Sequence, residues 1–359
     1  MGQNLRVSLA ERGVETVAFT RAHAAADLAR MLDGVRLVYH LAGVNRPRDP
    51  GEFQSGNVGL TERLAEAAIR IGQKIPVVFT SSTQAILDNE YGRSKRRAEE
   101  VLKTMQREHG IPVHILRLPG VFGKWCKPNY NSVVATFCHL TARGQPCPIH
   151  DPAAPLTLVH IDDVVRRLLS LLDRVGGAVA PDPSPAISPQ FETTVGELAA
   201  ILTRFRESRK TLLTERTGEG LIGKLYGTYL SYLPPGDFAY DVPAYPDLRG
   251  NFVEMLKTKD SGQFSCFSIK PGITRGSHYH HRKSEKFLPL HGRIKMRFRN
   301  LATGERHEIQ TEGGTGRIIE TAPGWAHDIT NIGKEEAWVM LWANEVFDRQ
   351  DPDCVPCEV

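Results

Sequence analysis

One group of residues has the types and spacing needed for acid–base chemistry. Tyr91 and Lys95 lie four residues apart where the pattern predicts the start of a helix, so their side chains share one face. A lysine so placed lowers the pKa of the tyrosine, which lets the phenol give or take a proton near neutral pH. Ser82 lies nine residues upstream of Tyr91 at the end of a predicted strand, and its hydroxyl can hold the same substrate oxygen. This serine favours a catalytic group over an ordinary helix surface.

A second group has the types and spacing of metal ligands. His278 and His280 are two residues apart, so on a strand both side chains point to the same face. Glu285 arrives from the next strand after a turn, Gly292 permits the reversal that follows, and His327 can supply a fourth ligand. Three imidazoles and one carboxylate suit a divalent transition metal with an open coordination position.

The elements that position the first group form an α/β pattern. Apolar runs typical of strands buried on both faces alternate with helical patterns, which predicts a doubly wound parallel sheet. The apolar runs are 14–19, 35–43, 74–82 and 112–120, and the helical patterns are 27–32 with its flanks, 61–71 and 94–109. We predict a first domain over residues 1–232.

The second group lies in a stretch with a different residue pattern. Paired prolines and a glycine at 234–236 interrupt the chain, and no long helical pattern follows. Short apolar runs separated by turns predict an all-β second domain over 238–359, a barrel or a sandwich. These runs fall in 264–272, 285–299, 316–324 and 336–347.

Composition restricts the classes of function. The 359 residues are 41% apolar and 24% charged, which excludes wholesale disorder. The net charge of +4 is spread along the chain, so no nucleic-acid surface is expected. No apolar run approaches the ~18 residues of a membrane span, and the start of the chain lacks a signal-peptide pattern. We expect a cytoplasmic protein with reduced cysteines, and the C-x-x-C pair Cys354 and Cys357 receives no role.

The first domain resembles the extended short-chain dehydrogenase/reductases that act on nucleotide sugars. The resemblance rests on 40–43, on Asn57, and on the segments 117–123 and 159–164. It implies that Tyr91 protonates a carbonyl oxygen, that Lys95 binds the nicotinamide ribose and that Ser82 orients the carbonyl. It also implies further cofactor contacts at Gly2, Leu41, Ala42 and Gly43, and substrate contacts at Asn57 and Lys124.

The beginning of the chain departs from that family's pattern. Gly2 corresponds to the last glycine of the nucleotide-binding loop, and the first strand with its two earlier glycines is absent. The expectation is a native protein about a dozen residues longer, with weakened cofactor binding in this shorter chain. Arg21 follows the second strand of the family's sheet, where an arginine favours the 2′-phosphate of NADP over NAD.

The second domain resembles the cupins. The spacing G-x5-H-x-H-x4-E-x6-G over 272–292 matches the first cupin motif at each fixed position, and the second motif is matched except for a proline one place late at Pro323. The alternative is a cupin that has lost its metal, which usually lacks a ligand as well. Residues 247–254 resemble a stretch of cupin epimerases for nucleotide-linked 4-keto sugars, which implies that Arg249 contacts the nucleotide diphosphate.

Almost the whole chain resembles the CapF/WbjC-type bifunctional enzymes of capsule and O-antigen synthesis. The resemblance implies C3-epimerisation of UDP-2-acetamido-2,6-dideoxy-β-L-arabino-hexos-4-ulose in the cupin. NADPH reduction at C4 in the first domain follows, toward UDP-N-acetyl-L-fucosamine. The resemblance also implies zinc as the metal and a homodimer. Epimerisation must come first, because the C3 hydrogen is acidic only while C4 is a ketone.

Three alternatives stay open at this point. The cupin could work alone, it could be a dimerisation and substrate-sensing module, or it could be an iron dioxygenase, since iron fits the same ligands. The acid–base residue of the cupin step is also open. Lys286, Lys283 and Tyr279 are all candidates by their proximity to the ligands.

Overall fold

The computed structural model describes residues 1–24, 26–49, 51–175 and 187–359. The chain forms two compact units. The first comprises Met1–Leu202 and Lys224–Leu233, and the second comprises Thr203–Gly223 and Pro234–Val359.

The first unit contains most of the helices and two small sheets. Its elements in chain order are α1 (Gly2–Glu11), α2 (Asp27–Met31), β1 (Val38–His40), α3 (Gly51–Phe53), a π-helical turn (Gln54–Gly59), α4 (Leu60–Ile71), β2 (Val77–Ser82), a 3₁₀ turn (Thr83–Ile86), α5 (Glu90–His109), β3 (Val113–Leu118), β4 (Gly120–Phe122), α6 (Val133–Ala142), β5 (Pro155–His160), α7 (Ile161–Leu172), β6 (Phe191–Thr194) and the first part of α8 (Val195–Thr211). Helix α9 (Gly220–Leu230) contributes its later part.

The sheet of the first unit is parallel and covered on both faces. Its order is β1-β2-β3, and a second sheet of order β4-β5-β6 lies in the same unit. All six residues of β2 are buried. Val78 packs in one core cluster with residues of α1 and α7, while Val77 and Phe79 pack in another with residues of α4 and α5. Helices on both faces of a parallel sheet confirm the predicted doubly wound fold.

One predicted strand of this unit is wrong. Residues 14–19 are not assigned to any strand, although their apolar run predicts one. The physical reason is pairing: a strand is defined by a hydrogen-bonded neighbour, and these residues form no ladder with another described segment.

After a 3₁₀ turn at Pro235–Asp237, the second unit is all-β from residue 238 on, as predicted. Its strands are β7 (Leu213–Thr214), β8 (Phe252–Thr258), β9 (Gln263–Ile269), β10 (Thr274–Tyr279), β11 (Glu285–His291), β12 (Arg293–Asn300), β13 (Arg306–Glu312), β14 (Ile319–Thr321), β15 (Trp325–Asn331), β16 (Ala337–Ala343) and β17 (Val355–Pro356). One sheet has the order β13-β12-β15-β10-β17 and the other β14-β11-β16-β9-β8-β7. Phe267 and Phe287 of one sheet pack with Met296 and Ile329 of the other in a single core.

Residues 203–223 lie in the second unit, whereas the sequence groups them with the first domain. The difference arises because β7 pairs with β8, with Leu213 aligned to Lys257, and so adds a strand to a sheet of the second unit. Among the described residues, no helix is both long and apolar enough to cross a membrane.

The core of the first unit yields a prediction about stability. Leu102 of α5 is fully buried against the parallel sheet, whereas Leu87 is 48% exposed. We expect Leu102→Ala to lower the free energy of unfolding by about 2–5 kcal/mol, because it leaves a cavity. Leu87→Ala, the control, is expected to change it by less than about 1 kcal/mol. Urea unfolding followed by circular dichroism measures both, and equal effects would contradict this packing.

Candidate catalytic and metal sites

The end of β2 and the start of α5 are held close together. Ser82 caps the 3₁₀ turn by accepting a hydrogen bond from the Gln84 N–H at 3.2 Å, and Asn89 caps α5 by accepting from the Gly92 N–H at 2.7 Å. Gly92 is required here, because a Cβ would lie 2.3 Å from the Gln84 carbonyl oxygen. This packing brings the first turn of α5, with Tyr91, against the strand end that carries Ser82.

Tyr91 and Ser82 meet as the sequence predicts, but the predicted effect of Lys95 on Tyr91 is wrong. The Ser82 hydroxyl lies close enough to the Tyr91 phenol to act on its pKa. Burial raises the pKa of Tyr91, and Ser82 only partly opposes this. Lys95 does not lower that pKa, because its ammonium donates instead to the Thr80 carbonyl at 2.8 Å and lies 4.4 Å from the centre of the Phe79 ring.

Lys95 is a buried charge. Burial lowers the pKa of Lys95 to about 8, and the nearby Glu99 carboxylate opposes that shift. Glu99 is itself buried and accepts hydrogen bonds from Ser81 at 2.5 Å and from Arg117 at 2.9 and 2.6 Å. Ser81 is therefore occupied by Glu99, which leaves Ser82 as the serine that meets Tyr91.

The Asn57 side chain holds the backbone of the segment that follows β1. The Asn57 side chain accepts from the Val44 N–H at 2.7 Å and donates to the Val44 carbonyl at 3.0 Å and to Ser94 Oγ at 2.9 Å. A Cβ at Gly43 would lie 2.9 Å from Asn57 Oδ1 and 3.7 Å from Lys95 Nζ, so glycine keeps the space beside Lys95 open. Asn57 thus holds the predicted cofactor segment, and its predicted contact with substrate stays a prediction.

His40 lies against Phe79 and close to Lys95, and it is not among the site residues predicted from the sequence. Its Nε2 is 2.8 Å from Thr61 Oγ1, and its ring stacks on Phe79. Burial, with a smaller effect from the Lys95 charge, lowers the pKa of His40 to about 3. The position of His40 just before Leu41 was the available signal, since that segment was already assigned to the cofactor.

The other predicted residues of this kind occupy simpler positions. Gly2 is exposed at the start of α1, Arg21 is exposed in a turn, and Leu41 packs partly against the core. Lys124 pairs with Asp162 at 2.7 Å. In the second unit, Arg249 pairs with Asp247 at 2.6 Å, which lowers the pKa of Asp247 to about 2. The binding roles of these residues stay predictions.

The four predicted metal ligands come together in the second unit. One nitrogen from each of His278, His280 and His327 and one oxygen of Glu285 all lie within 4.8 Å of one another. His278 of β10 is the register partner of His327 of β15, and Glu285 is the first residue of β11. His280 follows β10 directly, so the set comes from both sheets.

A backbone irregularity aims the first histidine. The register of β10 shifts between Gly276 and His278, and Ser277 has a φ of 60°. Such a bulge re-aims the following side chain. At Gly276, a Cβ would lie 3.1 Å from the backbone of β15, so glycine allows the two strands to approach.

The donor set fits a divalent metal. The His280 Nε2 and His327 Nε2 atoms lie 3.2 and 3.3 Å from Glu285 Oε2. His327 Nε2 is nevertheless buried without a well-aligned hydrogen-bond partner, and its Nδ1 lies 3.2 Å from the Trp325 carbonyl. Burial, and then the neighbouring His327 and His280, lowers the pKa of His278 to about 4, so this imidazole is a neutral ligand at neutral pH. The two imidazoles hold the pKa of the Glu285 carboxyl well below its usual range despite burial.

The structure separates the three acid–base candidates. Tyr279 follows His278 in β10 and Lys286 follows Glu285 in β11, so both side chains point to the face opposite the ligands. Lys286 also pairs with Glu320. Lys283 is buried, donates to the Pro352 carbonyl at 3.1 Å, and its charge contributes to the low pKa of His278.

Comparison with known proteins covers both units. Residues 1–182 match the NAD dependent epimerase/dehydratase family, and residues 245–355 match the polysaccharide biosynthesis C-terminal domain. The chain is 53% identical over 360 aligned residues to a UDP-2-acetamido-2,6-beta-L-arabino-hexul-4-ose reductase of Pseudomonas aeruginosa, and the alignment covers 100% of this chain and 96% of that protein.

Two solved structures are also similar to this chain over its whole length. The capsular polysaccharide assembling protein CapF from Staphylococcus aureus is 37% identical with a TM-score of 0.90, covering 100% of this chain and 97% of that one. CapF with the inhibitor 3-isopropenyl-tropolone is 33% identical with a TM-score of 0.85, covering 100% and 96%.

The buried Lys95 predicts a pH dependence of stability. Its pKa in the folded chain, about 8, lies below the ordinary lysine value, so above pH 8 the folded state holds fewer protons than the unfolded state. We expect the wild type to gain up to about 3 kcal/mol relative to Lys95→Met between pH 8 and 10.5. Lys103 is an exposed lysine of the same helix, so the difference in stability between wild type and Lys103→Met should not change over this pH range. Urea unfolding across this range measures the difference, and a difference between wild type and Lys95→Met that stays constant with pH would contradict the account.

Proposed function

Since the chain belongs to the family of UDP-2-acetamido-2,6-beta-L-arabino-hexul-4-ose reductases that includes CapF, we propose that it is a bifunctional oxidoreductase and epimerase. Its substrate is a UDP-linked 4-keto-6-deoxy amino sugar, UDP-2-acetamido-2,6-dideoxy-β-L-arabino-hexos-4-ulose. The second unit inverts C3, and the first unit then reduces C4 with NADPH, toward UDP-N-acetyl-L-fucosamine. The observation that carries the proposal is that one chain holds both a Ser82–Tyr91 pair and a separate three-histidine, one-carboxylate cluster.

The residues of the first unit support the reduction. NADPH, when bound, supplies the hydride. The raised pKa of Tyr91 keeps its phenol protonated at neutral pH, so Tyr91 can donate a proton to the C4 oxygen while Ser82 orients that oxygen. Gly43 keeps the space beside the Lys95 ammonium free of a Cβ, which suits a sugar hydroxyl of the cofactor. Leu41, Ala42 and Gly2 would complete the cofactor contacts, and Arg21 favours NADPH over NADH.

The residues of the second unit support the epimerisation. The C4 ketone acidifies the C3 hydrogen, and a divalent metal bound by the four ligands would stabilise the negative charge that develops on the C4 oxygen. We assign zinc, because the three imidazoles and one carboxylate leave an open position in its usual coordination. Lys283 is the acid–base candidate, because Tyr279 and Lys286 point away from the ligands. Arg249 is the proposed contact of the diphosphate, with Asn57 and Lys124 as substrate contacts in the first unit.

The order of the two reactions follows from the substrate. Once C4 is reduced, the C3 hydrogen is no longer acidic, so epimerisation precedes reduction. The complete ligand set argues against a cupin that only senses substrate or mediates dimerisation. The homodimer and the cytoplasmic location stay predictions.

Removing the Tyr91 hydroxyl should disable one activity and spare the other. We expect Tyr91→Phe to lower the rate of NADPH oxidation with the UDP-4-keto sugar about 10²–10⁴-fold, because the proton donor is lost. Exchange of the C3 hydrogen with deuterated water should continue at the wild-type rate. Tyr39→Phe serves as the control, because the Tyr39 hydroxyl donates to the Leu168 carbonyl away from Ser82. Unchanged reduction in Tyr91→Phe would exclude Tyr91 as the acid.

Removing the Glu285 charge should have the opposite effect. We expect Glu285→Gln to weaken zinc binding and to reduce C3 exchange at least about 10²-fold, because the metal's charge stabilisation is worth several kcal/mol. The exposed Glu308→Gln is the matched control. Proton NMR in deuterated water follows the exchange, and inductively coupled plasma mass spectrometry gives the metal content. Wild-type exchange in metal-free Glu285→Gln would contradict the metal mechanism, and iron in unsupplemented wild type would replace zinc in this assignment.

A further inference from the structure

A short segment of the second unit lies against the loop and strand that carry the proposed metal ligands. Residues 351–359, here called the strap, include β17, which pairs with β10 so that Pro356 aligns with His278 and Val355 with Tyr279. The Cys357 N–H donates to the Ser277 carbonyl at 2.9 Å. The strap thus runs beside the strand that carries the first histidine ligand.

Asp353 makes the most concentrated set of contacts in the strap. Its side chain is buried, and its two carboxylate oxygens accept the backbone N–H groups of His281, Arg282 and Lys283 at 2.9, 2.9 and 2.8 Å. These are three of the four residues that join His280 to Glu285, two of the proposed ligands. One carboxylate therefore fixes the backbone that joins them.

Asp353 also reaches a ligand directly. Its carbonyl oxygen accepts a hydrogen bond from His280 Nδ1. This contact fixes the orientation of the His280 ring from its Nδ1 side. It is Nε2 that points at Glu285, 3.2 Å away. An outer partner of this kind orients a histidine ligand and raises its basicity.

One side chain of the turn also contacts the strap. Lys283 Nζ donates to the Pro352 carbonyl at 3.1 Å, whereas the Arg282–Asp351 pair at 2.7 Å is exposed and contributes little to holding the turn. Asp353 has a φ of 37°, a conformation that aspartate, asparagine and glycine tolerate better than most residues. The backbone at 353 is thereby turned so that its carbonyl and its carboxylate both face the ligand loop.

We propose that Asp353 is the positioning residue of the metal centre: through the 281–283 turn and His280 it presets the ligands for a divalent cation. This inference rests on the metal centre proposed above and concerns how the centre is assembled. The sequence pattern around the ligands does not indicate this role, because Asp353 lies 68 residues after Glu285.

The test measures zinc affinity of the full chain by competition with a fluorescent chelator. Asp353→Asn keeps the size and the backbone preference but replaces an acceptor by an amide that faces N–H groups. Asp353→Gly removes the carboxylate and accommodates the positive φ. We expect the dissociation constant for Zn²⁺ to rise about tenfold in Asp353→Asn and up to about a hundredfold in Asp353→Gly. Asp351→Asn, an exposed carboxylate of the same strap, is expected to stay within about twofold.

A second readout distinguishes positioning from general stability. A merely structural role lowers the melting temperature equally with and without metal, whereas a positioning role also shrinks the rise in melting temperature that zinc produces. The visible absorption of Co²⁺-loaded protein should change in Asp353→Asn and not in Asp351→Asn. If Asp353→Gly does not fold by circular dichroism, Asp353→Asn decides the outcome.

The results separate this inference from the proposed function. A wild-type chain that binds one Zn²⁺ while both Asp353 variants bind it equally well overturns the role of Asp353 and leaves the metal centre intact. A wild-type chain that binds no Zn²⁺ or Co²⁺ overturns the metal centre and this inference with it.

Discussion

The buried Glu285 carboxylate is the constraint on which the second unit's site depends. A carboxylate removed from water is costly unless fixed partners compensate its charge. His280 and His327 lie within 3.3 Å of it, and each also contacts a backbone carbonyl through its other nitrogen. That arrangement needs two sheets, a bulge in β10 and a fixed turn before β11. The first unit meets a similar constraint at Lys95, whose ammonium is held by the Thr80 carbonyl, the Phe79 ring and the charge of Glu99.

Both charges are placed where a reacting ketone could use them. Beside Lys95, the Tyr91–Ser82 pair offers a proton and an orienting hydroxyl to a carbonyl oxygen. At Glu285, the imidazoles and the carboxylate offer ligand atoms to a cation that can polarise the same kind of oxygen. In the function proposed above, one 4-keto group serves both units, first as the activator of the neighbouring hydrogen and then as the acceptor of hydride. Under that proposal, this shared chemistry is the reason for carrying both sites on a single chain.

Much of this was predictable from sequence, because both sites are encoded locally. The four-residue spacing of Tyr91 and Lys95 fixes a shared helix face, and the interval from His278 to Glu285 fixes one strand, one turn and the next strand. Features set by distant contacts were not predictable. The raised pKa of Tyr91 depends on burial, which the folded chain creates. The grouping of residues 203–223 with the second unit depends on β7 pairing with β8, and the role of Asp353 depends on a strap folded back over β10.

The most direct test of two sites acting in sequence is one reaction observed by NMR. The full chain is incubated with the UDP-4-keto sugar and NADPH in deuterated water, and the product is isolated. The account predicts deuterium at C3, inverted configuration at C3 and an alcohol carrying the NADPH hydride at C4. A C4 alcohol with hydrogen and unchanged configuration at C3 would contradict the account, because reduction would then have proceeded without epimerisation.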